Sequence, residues 1–432
     1  MSFSPWYFVM ISYNIFILIL LACMPFQESI ESYVSCFIVI CMFFMLLRLS
    51  KSQSIGVVAS ISSLVYQYNL ISPRPCKRKV FGNYLMMCAC FVAIAFIVPV
   101  YTGTNLITAI SASRYTAYYT YQSNLKEIVS DGSFIRYLAS FLSSIVLALQ
   151  FYLCAFYSKY RNIPLLFLAS CPLAIFSMSL GTFYGIFLSL IPWMHLLSEP
   201  FSRFRLERLK IPMSVFLSII AFLPVIASFV LNQLSRNILD NGEDTFELCN
   251  GFVCAASSPV FDTFPFLQIP IYLVATYLLL PLMHFAKFVL VSFTYFFYNL
   301  LPMSWSFYDL FGFPVFENQL MDLNFMVSGS NWITLPTRLI PFIGLPLVFL
   351  FMYWIIRTLL VFDAISVHSN SLELRFASYF FAVIFFSFFQ NNYFEFSFML
   401  NAFSMSFVYL LFFSPWYARF LITKIISRSF FL

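Results

Sequence analysis

The chain has 432 residues, of which 62% are hydrophobic and only 9% are charged. A soluble domain carries about a quarter of its residues as charged side chains, so this composition excludes a soluble globular protein and predicts an all-α, polytopic membrane protein. The net charge of +6 sits in separate basic and acidic connections, which gives no continuous basic face for a nucleic acid.

Apolar runs follow one another along the whole chain. A bilayer-spanning helix needs about 20 apolar residues, and continuously apolar runs without the alternation of barrel strands argue against a membrane β-barrel. The runs of this kind lie at 7–26, 33–50, 83–101, 134–157, 164–197, 211–232, 265–300, 333–362, 373–390 and 394–418. The runs at 164–197 and 265–300 are long enough for helical hairpins, so we expect roughly 8 to 11 membrane helices.

Polar stretches divide this pattern into three regions. Residues 1–232 form an N-terminal multi-helix membrane region, residues 233–335 contain polar loops and a membrane hairpin, and residues 336–432 form a C-terminal helical unit. Charges are nearly absent from the apolar runs of the first region. We therefore expect that region to be an extension or a diverged scaffold, with any proton or ion path lying elsewhere.

Composition and charge also predict where the chain resides. The connections around 74–79 and 203–210 and the C-terminal tail are basic, which predicts that they lie on the matrix or cytoplasmic side of the membrane. The high content of Phe (59) and Tyr (26) is typical of an AT-rich organellar genome. The first residues carry no basic presequence. These features predict an organelle-encoded, multi-pass protein of the mitochondrial inner membrane.

Residues that bind metals or cofactors are sparse. The three histidines form no spaced pair, and the ten cysteines are scattered, mostly through apolar runs where a thiol acts as a small hydrophobe. Only Cys249 and Cys254 lie together in a polar loop and can pair or bind a ligand. Without a histidine or a second cysteine pair nearby, we expect no metal site and no cofactor.

Arg375 is the most unusual residue, because it lies in the apolar run 371–382. A charge within the bilayer is costly and usually faces a partner or a wet path, so it marks function. Helical spacing places Arg375, Ser378, Tyr379 and Ala382 on one face, where the small residues leave room for another helix. On the following apolar run Ser397, Asn401 and Ser404 form one polar stripe, and Glu395 points about a third of a turn away.

These residues resemble a known family. The segment 362–366, Phe-Asp-Ala-Ile-Ser, followed by the segment 371–377, Ser-Leu-Glu-Leu-Arg-Phe-Ala, resembles the signature of subunit a (subunit 6) of F-type ATP synthases. The segment 401–403, Asn-Ala-Phe, with Glu395 six residues earlier, is similar to the family's last helix. The similarity covers about residues 340–415. Tyr379 and Val383 stand where the family usually has Asn and Gly, and the N-terminal helices have no counterpart in it.

The resemblance implies a non-catalytic, proton-translocating stator subunit that forms two half-channels beside a ring of c-subunits. The last two helices would be long, tilted and packed against that ring. Partners would be the c-ring, other ATP synthase membrane-sector subunits and inner-membrane lipids within a large complex, with dimerisation left open. The proton-translocation residues implied are Arg375, Glu395, Asn401, Asp363, His368 and Glu373, and the ring-facing residues implied are Ser378, Tyr379 and Ala382.

Among these residues the resemblance assigns Arg375 two tasks, which are to separate the half-channels and to attract the ring carboxylate. A guanidinium suits both because it stays protonated. Glu395 and Asn401 would line the proton inlet, and Asp363 and His368 would lie near a channel mouth. Glu373 points to the far side of its helix, where it would either pair within the stator or be an adaptation that the resemblance does not explain.

Other assignments remain open. The chain can be another mitochondrially encoded respiratory-complex subunit, similar to cytochrome oxidase subunit III or to a subunit of NADH dehydrogenase, with Arg375 as a structural ion-pair partner. An antiporter-like subunit should carry mid-membrane lysines and glutamates in several helices, and here only Lys287 fits. An oxidase subunit should carry histidines and glutamates in early helices. A secondary transporter should show paired inverted halves, and no such repeat is visible.

Overall fold

The computed structural model describes residues 4–26, 29–71, 77–112, 134–182, 184–203, 268–294, 334–369 and 371–389. Shorter stretches within 116–124 and 249–254, residue 263 and residues 404–409 are also described. Across these ranges the fold is helical, apart from one small hairpin of strands β1 (Cys249–Asn250) and β2 (Val253–Cys254). The antiparallel register of that hairpin sets the backbone of Cys249 opposite that of Cys254.

Twelve helices form the framework of the described residues. They are α1 (Pro5–Ala22), α2 (Ile30–Ile71), α3 (Lys77–Thr102), α4 (Leu106–Ser111), α5 (Phe134–Lys159), α6 (Ile163–Ser179), α7 (Tyr184–Arg203), α8 (Gln268–Leu278), α9 (Leu280–Thr294), α10 (Leu335–Ile343), α11 (Leu345–Ser369) and α12 (Leu372–Phe386).

Five of the described helices are long and apolar enough to cross a bilayer, which supports a multi-pass membrane protein. The spans are α1, Ile30–Ile55 of α2, Gly82–Thr102 of α3, Tyr137–Lys159 of α5 and Leu345–Val367 of α11. This is fewer than the 8 to 11 expected. One reason is that α6 and α12, with 17 and 15 residues, are shorter than a full span. Another is that the apolar run 211–232 and most of the run 394–418 lie outside the described residues.

The two long apolar runs, at 164–197 and 265–300, form different structures. The run at 164–197 is a helical hairpin of α6 and α7, joined by a turn in which Gly181 adopts φ +61°. The two helices approach closely, since a Cβ placed on Gly185 would lie 2.5 Å from the Leu173 carbonyl oxygen. Within the run at 265–300, the described residues 268–294 form instead a helix interrupted at Leu279, just before Pro281, where the missing amide hydrogen prevents a regular ladder.

A second hairpin carries the motif that resembles subunit a. Helix α11 follows Gly344, which adopts φ +80°. At its other end the Ser371 amide donates to the Ser366 carbonyl at 3.2 Å, which closes the turn. The Ser371 hydroxyl then accepts a hydrogen bond from the Leu374 amide and caps α12. Two adjacent helices therefore hold residues 362–366 and 371–377 at one end of the bundle.

The N-terminal and C-terminal helices pack into a common bundle. Helix α11 packs most extensively against α2 and α12, and α1 packs against α7 and α2. Helix α12 also contacts α5 and α7, so helices from residues 1–232 cover much of its surface. The two described long helices of the C-terminal unit, α11 and α12, thus pack against helices of the N-terminal region.

We call one end of this bundle the polar end. There α1 and α12 begin, and α5, α7 and α11 end, as the side-chain contacts between these helix termini show. The same end carries several basic residues of the described helices and turns, namely Arg48, Lys51, Lys159, Arg161 and Arg203. The positive-inside tendency therefore assigns the polar end to the matrix or cytoplasmic side.

Candidate functional site

The polar end encloses a group of buried ionisable side chains from three helices. Asp363 comes from α11, Arg375 from α12, and His195 and Glu199 from α7, and each is at most 3% exposed. We call these four residues, with Ser4 and Ser158, the polar core. Buried charges are strongly unfavourable unless they are paired and hydrogen-bonded, so their pairing needs to be followed atom by atom.

Asp363 accepts hydrogen bonds from three donors. One carboxylate oxygen accepts from the Ser4 hydroxyl and from the Trp6 amide at 3.1 Å. The other oxygen lies 2.6 Å from His195 Nε2. Because Trp6 is in the first turn of α1, the carboxylate also sits at the positive end of that helix dipole. A side chain more than 350 positions away in the sequence therefore caps α1.

The buried His195 ring has a hydrogen-bond partner at only one of its two nitrogens among the described residues. Its Nε2 contacts Asp363, while its Nδ1 has no hydrogen-bond partner among the residues that the structure describes. The ring lies between two aromatic side chains, with centroid distances of 5.6 Å to Trp6 and 5.4 Å to Tyr379. When Nε2 donates its hydrogen to the carboxylate, the lone pair of the imidazole lies at the buried Nδ1.

Arg375 lies in the first turn of α12, where it meets helices α5 and α7. Its Nη1 donates a 2.9 Å hydrogen bond to the Ser158 hydroxyl. Its Nη2 lies 3.7 Å from Glu199 Oε1, which is an ion pair too long for a direct hydrogen bond. The other Glu199 oxygen lies 3.9 Å from Arg161, whose side chain is 62% exposed. A row of charges thus leads from the surface to the buried guanidinium.

The Asp363 and Arg375 halves belong to one site. His195 and Glu199 are four residues apart and share a face of α7, so one helix contacts both motif residues. Tyr379, one turn after Arg375, places its ring against His195. Arg161 and Arg375 flank the Glu199 carboxylate, and Asp363 contacts the His195 ring.

Three residues on α12 were expected to face a ring of partner subunits. In the structure Ser378, Tyr379 and Ala382 are fully buried within the chain itself. They do share the face of Arg375, as the helical spacing predicted, but helices α5 and α7 cover that face. The more open side of α12 carries Ala377 and Phe380 instead.

Of the other predicted site residues, Glu373 alone has a side chain among those that the structure describes. Glu373 is half-buried on the side of α12 away from Arg375, in agreement with the helical spacing. His368 lies in the last turn of α11, and its side chain is outside the described residues. Glu395 and Asn401 also lie outside the described residues, so the predicted inlet stays a prediction.

Sequence reasoning missed the contribution of the N-terminal region. It treated residues 1–232 as scaffold, whereas α7 supplies His195 and Glu199, α5 supplies Ser158, and Ser4 precedes α1. A usable signal was present. Two ionisable residues four positions apart in an apolar run predict one polar helix face.

Arg357 was also not predicted as a site residue. It lies at the midpoint of the α11 span, is 2% exposed and stands beside the buried Thr358. Arg375 lies in the first turn of its helix, so Arg357 is the more deeply placed of the two arginines within the bundle. The rule that singled out Arg375 applies equally to Arg357.

No family model matches this sequence, and no curated protein or solved structure is similar to it. The argument for function therefore depends on the geometry of the polar core and on the motif residues themselves.

Proposed function

We propose that this chain is the proton-translocating stator subunit of an F-type ATP synthase membrane sector, forming two half-channels beside a c-ring in the mitochondrial inner membrane. One observation carries the proposal. The two charged motif residues, Asp363 and Arg375, occupy a single buried core together with the His195 imidazole, whose Nδ1 has no described hydrogen-bond partner.

Arg375 supplies the fixed charge that such a device needs. A rotor carboxyl that faces lipid must be protonated, because a bare carboxylate in hydrocarbon is too unfavourable. Opposite a guanidinium the carboxyl releases its proton, and the guanidinium does not pass the proton on, since it stays protonated itself. Each proton that crosses contributes about 2.3 kcal/mol per 100 mV, which biases the direction of rotation.

Glu199 explains how a buried Arg375 can still serve a rotor. In the chain by itself Glu199 supplies the carboxylate opposite the guanidinium, at 3.7 Å and without a direct hydrogen bond. Replacing one carboxylate by another keeps the charge balance of the core. In this proposal the rotor carboxylate takes the place of Glu199 when the ring docks, and Glu199 keeps its contact with Arg161.

His195 gives the released proton a destination. Its Nδ1 is buried and has no hydrogen-bond partner among the described residues, and Asp363 holds the ring in position through Nε2. The polar end carries several basic residues, so in this proposal the positive-inside tendency would place it on the matrix side. The core would therefore belong to the half-channel through which protons leave toward the matrix.

A second candidate is a structural membrane subunit of another respiratory complex. This second candidate is favoured by the contacts of Arg375 with Ser158 and Glu199 of its own chain, because an ion-pair cluster can stabilise a bundle without moving protons. In that case the polar core would affect stability alone. Proton flux would then not depend on His195.

The proteins that co-purify with the tagged chain in mild detergent distinguish the two candidates. We expect a ring of small two-helix proteins, each with one membrane carboxyl, and a soluble ATPase head. Subunits of an oxidase or of NADH dehydrogenase in their place, identified by mass spectrometry, would refute the proposal.

A further inference from the structure

Trp6 and His195 are neighbours at the polar core, and each buries one nitrogen that lacks a hydrogen-bond partner. Both side chains are fully buried. Trp6 Nε1 and His195 Nδ1 have no partner among the residues that the structure describes. The centroids of the two rings are 5.6 Å apart, and their planes are inclined at 46°. Two buried polar atoms in need of partners therefore belong to adjacent side chains.

The other contacts of both residues keep them in place. The Trp6 amide donates to Asp363, and the indole ring packs edge-on against Tyr379 and Phe386. His195 is held by Asp363 through Nε2 and by the Tyr379 ring. Neither side chain can turn toward bulk solvent without losing these contacts. Two buried polar groups without partners are together more unfavourable than the immobilisation of one water molecule.

The two nitrogens need opposite kinds of partner. An indole N–H can only donate, so Trp6 Nε1 needs an acceptor. An ionised carboxylate can only accept, so the neutral imidazole places its hydrogen on Nε2, opposite Asp363, and its lone pair on Nδ1. His195 Nδ1 therefore needs a donor.

Water is the small ligand that fits both needs. Its oxygen accepts from the indole, and one of its hydrogens is donated to the imidazole. Chloride accepts but cannot donate, and ammonium donates but cannot accept, so each of these ions would satisfy only one nitrogen. Buried water molecules typically bond to polar groups of this kind, which would otherwise stay unsatisfied.

We propose that one ordered water molecule binds between Trp6 Nε1 and His195 Nδ1. It joins α1 to α7 inside the bundle. By accepting from the indole, the water turns a hydrogen toward Nδ1 and favours the neutral imidazole that donates to Asp363. Trp6 is thus a positioning residue for His195, supplied by the first turn of α1. The proposal concerns the folded chain alone, and it stands or fails separately from proton translocation.

X-ray hydroxyl-radical labelling of the purified full chain in nanodiscs tests the proposal, because radicals formed from a bound water oxidise the side chains beside it. We expect mass spectrometry to find oxidation at Trp6 and His195 in the presence of a scavenger that removes radicals from bulk solvent. The same scavenger should protect Tyr160, which is 44% exposed. Met352, which is also fully buried and has a readily oxidised side chain, should stay unlabelled.

Two tryptophan variants locate the water. W6F keeps an aromatic ring against His195 but removes the indole N–H, so the oxidation of His195 should fall to the background level of Met352. W193F is the matched control. The Trp193 indole already donates to the Ser170 hydroxyl at 3.1 Å, so this variant should leave the oxidation of His195 unchanged.

Three results would overturn the proposal. Wild-type oxidation of Trp6 and His195 no greater than that of Met352 would show that no water binds there, and this measurement does not depend on the folding of any variant. Unchanged oxidation of His195 in W6F would show that the indole does not hold the water. An equal fall in W6F and W193F would show that the loss does not depend on the N–H of Trp6.

Discussion

Replacing Glu199 by Gln tests the ion pair that joins α7 to α12. The change keeps the size of the side chain but leaves the Arg375 guanidinium without its carboxylate, 3.7 Å away in the wild type. At that distance the attraction amounts to about 4 kcal/mol at an effective dielectric constant of about 20. Removing one partner of a buried pair typically costs about 3–5 kcal/mol, because the other charge stays buried.

A double-mutant cycle separates this pair from general disruption. We expect E199Q and R375Q each to lower the free energy of unfolding by about 3–5 kcal/mol. The double variant should be less destabilised than the sum of the two, by about 2 kcal/mol or more, because no uncompensated charge remains. Unfolding by SDS titration in mixed micelles gives these free energies for the purified chain.

R161Q is the matched control for this cycle. It also removes a charge next to Glu199, but the Arg161 side chain is 62% exposed and 3.9 Å away. An exposed pair of this kind contributes less than about 1 kcal/mol. If E199Q lowers the free energy of unfolding no more than R161Q does, or if the effects in the cycle simply add, the contact between Glu199 of α7 and Arg375 of α12 does not form.

Three other variants test separate parts of the structure. H195Q can still donate to Asp363 but cannot carry a proton, so passive proton flux through the membrane sector should fall about tenfold or more, whereas H284Q on α9 should leave the flux near normal. G185A should destabilise the chain by about 1–3 kcal/mol, because its new Cβ meets a backbone oxygen, whereas G82A, with open space around it, should be neutral or stabilising in thermal unfolding. S4A removes one donor from Asp363 and should cost about 1 kcal/mol in the same measurement.

Local sequence patterns predicted the C-terminal hairpin and the shared face of its second helix. The polar patch before Ser371 marked the turn, and the 3.6-residue period placed Arg375, Ser378 and Tyr379 together. These features depend on residues within a few positions of each other. A single sequence is sufficient to recognise them.

The partners on that face were not predictable in this way. Ser158 is 217 positions from Arg375, and His195 is 168 positions from Asp363. Periodicity shows that a helix has a polar face, but not which other helix covers it. Without a long-range signal, the Arg375 face of α12 was assigned to a partner subunit, although the chain's own α5 and α7 pack there.

Local pattern does not decide how many helices a long apolar run forms. Hydropathy measures how apolar a run is, and it does not say whether the run folds as one span, a hairpin or an interrupted helix. The runs at 164–197 and 265–300 illustrate two of these outcomes. Gly181 and Pro281 decide them, through a positive φ in one case and a missing amide hydrogen in the other.

ATP-driven proton pumping by vesicles that carry R375A tests the central claim most directly. The account predicts an assembled complex that no longer pumps protons, while ATP hydrolysis by the detached catalytic head is unchanged and R161Q vesicles pump normally. Proton pumping at the wild-type rate in R375A vesicles would contradict the claim that Arg375 separates the two half-channels.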